Sequence, residues 1–151
     1  MPVCAAIWVT AMSEPIRFHF DVDGENFSSA GEASVMVKKK LRQLGFSPDV
    51  MRRVSIAMYE GEINMVIHAN GGTADVVVGE DAIEIILADK GPGIPDINKA
   101  MQEGYSTASD NIRALGFGAG MGLPNMKKYT DYMQIDTEIG VGTTITMRVN
   151  Y

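Results

Sequence analysis

The chain opens with alternating apolar and polar positions and then changes to helical spacing. The run from Ile16 to Val22, IRFHFDV, has a period of two and indicates a half-buried strand. Two helices are predicted after it, one from a cap at Ser28 or Ser29 to about Leu44, and one from Pro48 to about Ala69. Gly45 would end the first helix, and Ser47 would cap the second.

The second half of the chain predicts four strands and two short helices. The β-branched runs Ala74 to Val78 and Ile83 to Ala88 flank a Gly-Glu-Asp turn, which indicates a hairpin. The later elements are a short helix near 97–102, a helix at 123–131, and strands at 132–137 and 143–149. Strands and helices do not alternate strictly. This order favours a two-layer α/β sandwich, a mixed β-sheet covered on one face by helices, over a doubly wound parallel sheet.

Composition limits the class of protein. With 151 residues and 46% hydrophobic content, the chain suits one globular domain. Residues 1–15 are predicted to form an extension whose apolar segment is too short to span a bilayer. This segment is interpreted as an extra strand, and the alternative is a misassigned start, since Met12 opens a more ordinary beginning. The net charge of −6 argues against nucleic acid or a membrane surface as the main partner. The single cysteine, Cys4, excludes an internal disulfide and is compatible with a cytoplasmic location.

Four glycines alternate in the stretch LGFGAGMGLPNMKK, from Leu115 to Lys128. Glycine at every second position lets the backbone adopt positive φ and lets a ligand approach closely. The helix predicted to follow would add unpaired N–H groups that suit phosphate. The spacing fits neither a P-loop nor the GxGxxG of a Rossmann fold. Two interpretations stay open on these residues alone: a nucleotide-binding loop, and a flexible loop that ends a strand-like segment.

The second predicted helix is apolar on nearly every side, so it should be largely buried. Glu60 and Asn64 are four residues apart and share a face. A buried carboxylate and amide need partners, either Mg²⁺ with phosphate oxygens or a hydrogen-bonded loop. Glu62 points to another side and is expected to be solvated. His68 is expected to be a structural histidine with satisfied hydrogen bonds.

A third cluster, LADKGPGIPD, places Asp89 at the end of a predicted strand, with Gly91 and Gly93 just after it. A carboxylate at this point could accept a hydrogen bond from a base edge such as an adenine amino group. The alternative is an ordinary Asp-Lys-Gly-Pro-Gly turn.

The order of these motifs adds specificity. E-x-x-x-N on a helix, D-x-G-x-G after a strand, G-x-G-x-G-x-G-L before a helix and G-T-T in a late hairpin follow one another. In this order the sequence resembles the GHKL ATPase superfamily, with its Bergerat nucleotide-binding fold, over roughly Ile16 to Val149. The phrases IPDINKAMQEGYSTA and GMGLPNMKKYTD resemble the anti-sigma-factor and switch serine/threonine kinases of bacterial partner-switching pathways.

That resemblance implies an ATP- and Mg²⁺-dependent kinase that phosphorylates a STAS-type antagonist protein. It also implies a sigma factor or a phosphatase as further partners, and homodimers occur in the family. By position, Glu60 would be the catalytic base, Asn64 the Mg²⁺ ligand, and Asp89 the reader of adenine, supported by Thr143. The remaining nucleotide-binding residues it implies are Gly91, Gly93, Gly118, Ala119, Gly120, Met121, Gly122 and Leu123.

Two departures from the family pattern affect the lid and partner choice. The segment GEI, Gly61 to Ile63, replaces the usual small residue and hydroxyl of the first motif, and the ATP lid, about 94–117, is longer than expected. Gly116 and Phe117 are assigned to its hinge. Arg113 is a lid cation that would contact a phosphate, a partner or solvent. Lys127 and Lys128 are expected to lie on a solvated helix face.

An ATP-dependent binding switch that sequesters a regulator with little phosphotransfer fits the same motifs. A detached sensor histidine kinase domain is disfavoured, because no helical, histidine-bearing dimerisation region precedes the motifs. An ATP-driven dimer clamp is disfavoured because 151 residues leave no room for a second domain.

Overall fold

The computed structural model describes residues 14–105 and 121–151. Its elements in chain order are β1 (Ile16–Asp23), a single 3₁₀ turn (Phe27–Ser29), α1 (Glu32–Gln43), α2 (Pro48–His68), β2 (Gly71–Val78), β3 (Ala82–Asp89), α3 (Ile97–Ala100), α4 (Gly122–Lys128), β4 (Tyr132–Glu138) and β5 (Gly142–Asn150). Cys4 and nearly all of the predicted extension 1–15 lie outside the described residues, and the predicted lid is described as far as Tyr105. No helix in the described part of the chain is long and apolar enough to cross a membrane.

The five strands form one sheet in the order β1-β2-β3-β5-β4. All four neighbouring pairs are antiparallel, so the prediction of a mixed sheet is wrong for the described strands. The reason is topological: β3 and β4 run in the same direction, but β5 lies between them and pairs with both. This arrangement brings the end of β3 beside the start of β5, where Asp89 pairs with Thr143.

Helices cover one face of the sheet, which confirms the predicted two-layer α/β sandwich. Alternate strand residues face the core, and Val76, Ile85 and Met147 are fully buried there against Val54 and Met58 of α2. The opposite face of the sheet carries exposed polar side chains, among them those of His19, Gln134 and Arg148. Each fully buried apolar side chain of this size stabilises the fold by roughly 1.5–3 kcal/mol.

Local capping interactions determine where the two long helices begin. Ser47 caps α2 as predicted, since its side chain accepts a hydrogen bond from the Val50 N–H and Pro48 occupies the first position. The expected cap of the first helix was wrong. Asn26 instead accepts from the Ser28 N–H and holds the two serines in the 3₁₀ turn, and α1 begins after Gly31, whose φ is 95°.

The helix after the glycine-rich stretch is shorter than predicted and ends at Lys128 instead of Asp131. The backbone N–H of Asp131 donates to the carbonyl oxygen of Arg148 in β5 over 2.8 Å. The Asp131 carboxylate accepts from Arg53 and from the Asn150 N–H. These contacts draw the chain into the sheet before another helical turn can form.

Candidate functional site

Glu60 and Asn64 lie one turn apart on α2, are both half-buried, and line the same cavity, as their spacing predicted. Gly61 follows Glu60 on the side that faces the sheet. A Cβ atom at this position would lie 1.9 Å from Cδ1 of Leu87 in β3. The absence of a side chain at Gly61 therefore lets α2 pack closely on the sheet and fixes the height of Glu60 and Asn64 above it.

Asp89 ends β3 with one carboxylate oxygen held and the other available. Its Oδ1 accepts hydrogen bonds from the Gly91 N–H over 2.9 Å and from the Thr143 N–H over 3.2 Å. Within the described residues, no hydrogen bond engages Oδ2. The carboxylate is thus fixed in orientation and presents a free acceptor, which favours the interpretation as a binding site over an ordinary turn.

The two glycines after Asp89 are required by close backbone packing. A Cβ atom on Gly91 would lie 2.6 Å from Cβ of Ala69, at the end of α2. Gly93 has a φ of 83°, and a Cβ atom there would lie 2.7 Å from the carbonyl oxygen of Glu138 in β4. The turn is therefore wedged between α2 and the β4–β5 hairpin.

Thr143 is 6% exposed and lies beside Asp89. Its hydroxyl pairs with the hydroxyl of Thr137 over 2.9 Å, and the Thr137 Oγ1 accepts from the Ile94 N–H over 2.9 Å. This chain of hydrogen bonds ties the segment after Gly93 to the final hairpin. Thr137 was missed in the sequence, although the pairing of two predicted strands across the turn EIGVGT would have placed it opposite Thr143.

The glycine-rich stretch is described only from Met121 onward. Gly118, Ala119 and Gly120 lie outside the described residues, as do the lid residues Arg113, Gly116 and Phe117. Met121, Gly122 and Leu123 all line the cavity. A Cβ atom on Gly122 would lie 2.9 Å from Oδ1 of Asn64, so this glycine lets the start of α4 approach the Asn64 amide.

Asn125 is a second α4 residue at the site, and no sequence motif predicts its contact. Its side-chain Nδ2 donates a hydrogen bond to Oε1 of Glu60 over 3.2 Å. Asn125 is half-buried, whereas Lys127 and Lys128 are exposed, as expected. The contact could not be read from the chain because 65 residues separate the two partners.

A cavity of about 490 Å³ joins these groups. It is lined by every described residue that the sequence assigned to the site except Gly91. The volume lies in the range of small-molecule and cofactor pockets. The described lining also includes Lys99, a cation that sequence reasoning did not select, and His68. His68 is exposed and makes no hydrogen bond within the described residues, so nothing there supports the expectation of a structural histidine with satisfied hydrogen bonds.

Glu62 corrects another expectation, because its side chain is 1% exposed instead of solvated. Its carboxylate accepts hydrogen bonds from the backbone N–H groups of Gly31, Ala33 and Ser34, at 2.9, 3.3 and 2.6 Å. Burial raises the pKa of Glu62, and these hydrogen bonds act in the opposite direction. Glu62 thus caps the first turn of α1 from the helix that carries the site.

Comparisons with known proteins show what the whole chain resembles. A family model described as "Histidine kinase-like ATPase domain" matches residues 26–149. The serine/threonine-protein kinase RsbT of Bacillus subtilis is 33% identical over 108 residues, which cover 69% of this chain and 75% of that protein. The anti-sigma F factor of Clostridium beijerinckii is 30% identical over 125 residues, covering 79% of this chain and 84% of that protein.

Solved structures show the same fold at lower identity. The RsbU and RsbW domains of Rv1364c from Mycobacterium tuberculosis match with a TM-score of 0.62 and 15% identity, over 89% of this chain and 32% of that chain. The mycobacterial sensor histidine kinase MprB matches with a TM-score of 0.51 and 15% identity, over 89% of this chain and 97% of that chain. These findings confirm the resemblance and the fold class that the motifs predicted.

Proposed function

The chain belongs to the histidine kinase-like ATPase domain family, and from this premise we propose that it is an ATP-dependent serine/threonine protein kinase of a bacterial partner-switching pathway. Its substrate in this proposal is a STAS-type antagonist protein. The observation that carries the proposal is one cavity that brings together Glu60, Asn64, Asp89, Gly122 and Thr143 from four separate segments. The names of the curated relatives, a serine/threonine-protein kinase and anti-sigma factors, point to the same activity.

The adenine would bind at the Asp89 end of the cavity. The exocyclic amino group of adenine is a hydrogen-bond donor, and Oδ2 of Asp89 is an acceptor that no described residue engages. Since Oδ1 is held by the backbone of Gly91 and Thr143, the carboxylate cannot turn away without breaking two hydrogen bonds. Gly93 and Thr143 complete this end of the cavity.

The phosphates would bind at the opposite end, where α4 begins. Met121, Gly122 and Leu123 line the cavity there, and the proposal adds Gly118, Ala119 and Gly120 from the same motif. Backbone N–H groups without side chains in the way suit phosphate oxygens. Lys99 on α3 also lines the cavity and contributes a positive charge to it.

Mg²⁺ fits this end of the site through Asn64. The described residues hold no group of three or more His, Cys, Asp or Glu side chains that could bind a metal by themselves. An Asn oxygen beside the phosphate-binding segment suits an ion that keeps several waters and takes its other ligands from phosphate. When bound, Mg²⁺ would neutralise charge on the phosphate oxygens.

Glu60 would act as the base for transfer. The hydroxyl oxygen of a substrate serine or threonine forms a bond to the γ-phosphorus, the bond from that phosphorus to the bridging oxygen breaks, and ADP leaves. The hydroxyl proton passes to the Glu60 carboxylate, whose Oε2 no described residue engages. Asn64 and the glycine-rich segment hold the phosphates in line, and positioning of this kind supplies most of the catalysis in phosphoryl transfer.

Labelled ATP tests the proposal. The purified chain is incubated with Mg·[γ-³²P]ATP and each purified STAS-domain protein of the same host. The proposal predicts one labelled serine or threonine on a STAS protein. Stable ATP-dependent capture of a STAS protein or a sigma factor without label would support the binding switch instead. Size-exclusion chromatography of the chain alone, and of the chain mixed with a sigma factor or a phosphatase of the same host, tests the homodimer and the further partners that the resemblance implies.

A further inference from the structure

The packing of α4 on α2 brings two residues of α4 against the two functional residues of α2. Gly122 approaches the Asn64 amide, with 2.9 Å between its would-be Cβ and Oδ1 of Asn64. One turn later, Nδ2 of Asn125 donates to Oε1 of Glu60 over 3.2 Å. The later residue of α4, Asn125, contacts the earlier residue of α2, Glu60. The two helices therefore run in opposite directions where they touch.

The chemistry of the two groups determines which one donates in the contact between Asn125 and Glu60. An ionised carboxylate can only accept hydrogen bonds, so the amide nitrogen of Asn125 must face Glu60. Within the described residues this is the one hydrogen bond to the Glu60 carboxylate, and it engages Oε1 alone. Both side chains are half-buried, which shields a charge-assisted hydrogen bond from water and strengthens it.

We infer that Asn125 is a positioning residue for Glu60. It holds one carboxylate oxygen and leaves the other for the proton of the incoming hydroxyl. It also links the orientation of the base to α4, the helix that begins at the last glycine of the phosphate-binding motif. The inference rests on the proposed role of Glu60 in transfer, and it adds a residue to which none of the sequence motifs gave a role.

Asn125→Leu removes the donor and keeps the size of the side chain. The expected result is a fall of about 10- to 100-fold in kcat for phosphorylation of the STAS-domain protein, because a misdirected base costs turnover. The KM for ATP and the Kd for Mg·ATP, measured by calorimetry, should stay within about twofold of the wild type. Lys127→Gln, on the exposed face of the same helix, should change none of these values.

A simple structural role would lower ATP binding and turnover together, so the split between kcat and KM separates the two roles. If Asn125→Leu does not fold, Asn125→Ala replaces it. If the wild type is active and the Asn125 variant is equally active, the inference is overturned and the proposed function stands. A wild type that binds ATP and labels no STAS protein contradicts the proposed function, and the inference falls with it.

An NMR measurement tests the contact itself. In ¹⁵N-labelled protein, Glu60→Ala should move the side-chain NH₂ signals of Asn125, because the carboxylate that they donate to is gone. The NH₂ signals of Asn98, an exposed residue of α3, serve as the control and should not move. Unchanged Asn125 signals would show that the hydrogen bond is absent in solution and would overturn the inference.

Discussion

The backbone N–H of Thr143 donates a hydrogen bond to Oδ1 of Asp89 over 3.2 Å, across 54 residues of sequence. Their strands β3 and β5 are direct neighbours, so the sheet itself sets this distance. The same oxygen accepts from the Gly91 N–H. Asp89 is therefore held by two elements at once, and its second oxygen is the one that can read a ligand.

Asp89→Asn tests whether one oxygen of Asp89 is held by the backbone while the other binds the ligand. Asparagine can keep the two backbone hydrogen bonds through its oxygen, so the fold should be retained. Its amide nitrogen would then face the adenine amino group, and two donors cannot pair. ATP should bind about 10- to 100-fold more weakly, which corresponds to about 1–3 kcal/mol. Calorimetric titration with Mg·ATP measures the effect, and Asp136→Asn on the exposed side of β4 is the matched control. Unchanged affinity would remove Asp89 from the site.

Thr137→Val tests the hydrogen-bond chain behind Thr143. Valine has nearly the shape of threonine but leaves the Ile94 N–H without its acceptor. The free energy of unfolding should fall by about 1–2 kcal/mol in urea denaturation. Thr146→Val, on the opposite face of the sheet, should change it by less than about 0.5 kcal/mol. Equal effects of the two substitutions would mean that the Ile94 contact does not stabilise the fold.

Gly122→Ala tests the close approach of α4 to Asn64. The added methyl would lie 2.9 Å from the Asn64 Oδ1 and must displace the amide. Binding of Mg·ATP and phosphoryl transfer should weaken by at least tenfold, while stability should not fall, since alanine favours a helix by up to about 1 kcal/mol over glycine. Titration with ATP in the presence and absence of Mg²⁺ measures the effect. If the loss is the same without Mg²⁺, Asn64 is not the metal ligand.

The contribution of Glu62 to the stability of the fold depends on pH. Burial raises the pKa of Glu62 in the folded chain above its ordinary value of 4.5. The folded state therefore holds this proton more tightly than the unfolded state. Its stabilising contribution is fully present below the unfolded pKa and is lost as the pH rises through the folded pKa.

Glu62→Gln removes this titration. The variant should lose about 1–3 kcal/mol of stability, because an amide cannot accept from all three backbone N–H groups. The difference in unfolding free energy between wild type and variant should narrow as the pH rises from 4.5 through the raised pKa of folded Glu62. Urea denaturation across that range measures it, and the other carboxylates cancel because both proteins carry them. A difference that widens with pH would show that the hydrogen bonds outweigh burial and lower the Glu62 pKa.

Features that depend on residues close together in the sequence were predicted, whereas contacts between distant elements were not. The face shared by Glu60 and Asn64 and the Ser47 cap depend on spacing within one helix, and both were predicted correctly. Asp89 was placed at a strand end for the same local reason. Its held orientation depends on Thr143 in a distant strand.

The residues that were missed all act across the fold. Glu62 was expected in solvent because it points to another side of its helix than Glu60 and Asn64. The N–H groups that it accepts from belong to Gly31 and to the first turn of α1, 28 to 31 residues away. Asn125 and Thr137 contact elements that pair only in the folded chain. The prediction of a mixed sheet was wrong for the same reason, since β5 lies between β3 and β4, which run in the same direction.

The most direct test of the account is phosphoryl transfer by Glu60→Ala. The variant should bind Mg·ATP with an affinity within a few-fold of the wild type, because the proposed contacts to adenine and phosphates come from other residues. Transfer of the γ-phosphoryl group to the STAS-domain protein should fall at least 100-fold, as expected for loss of a positioned base. Glu80→Ala, an exposed carboxylate in the β2–β3 turn, controls for the change in charge. A Glu60→Ala chain that phosphorylates its partner at the wild-type rate would contradict the account.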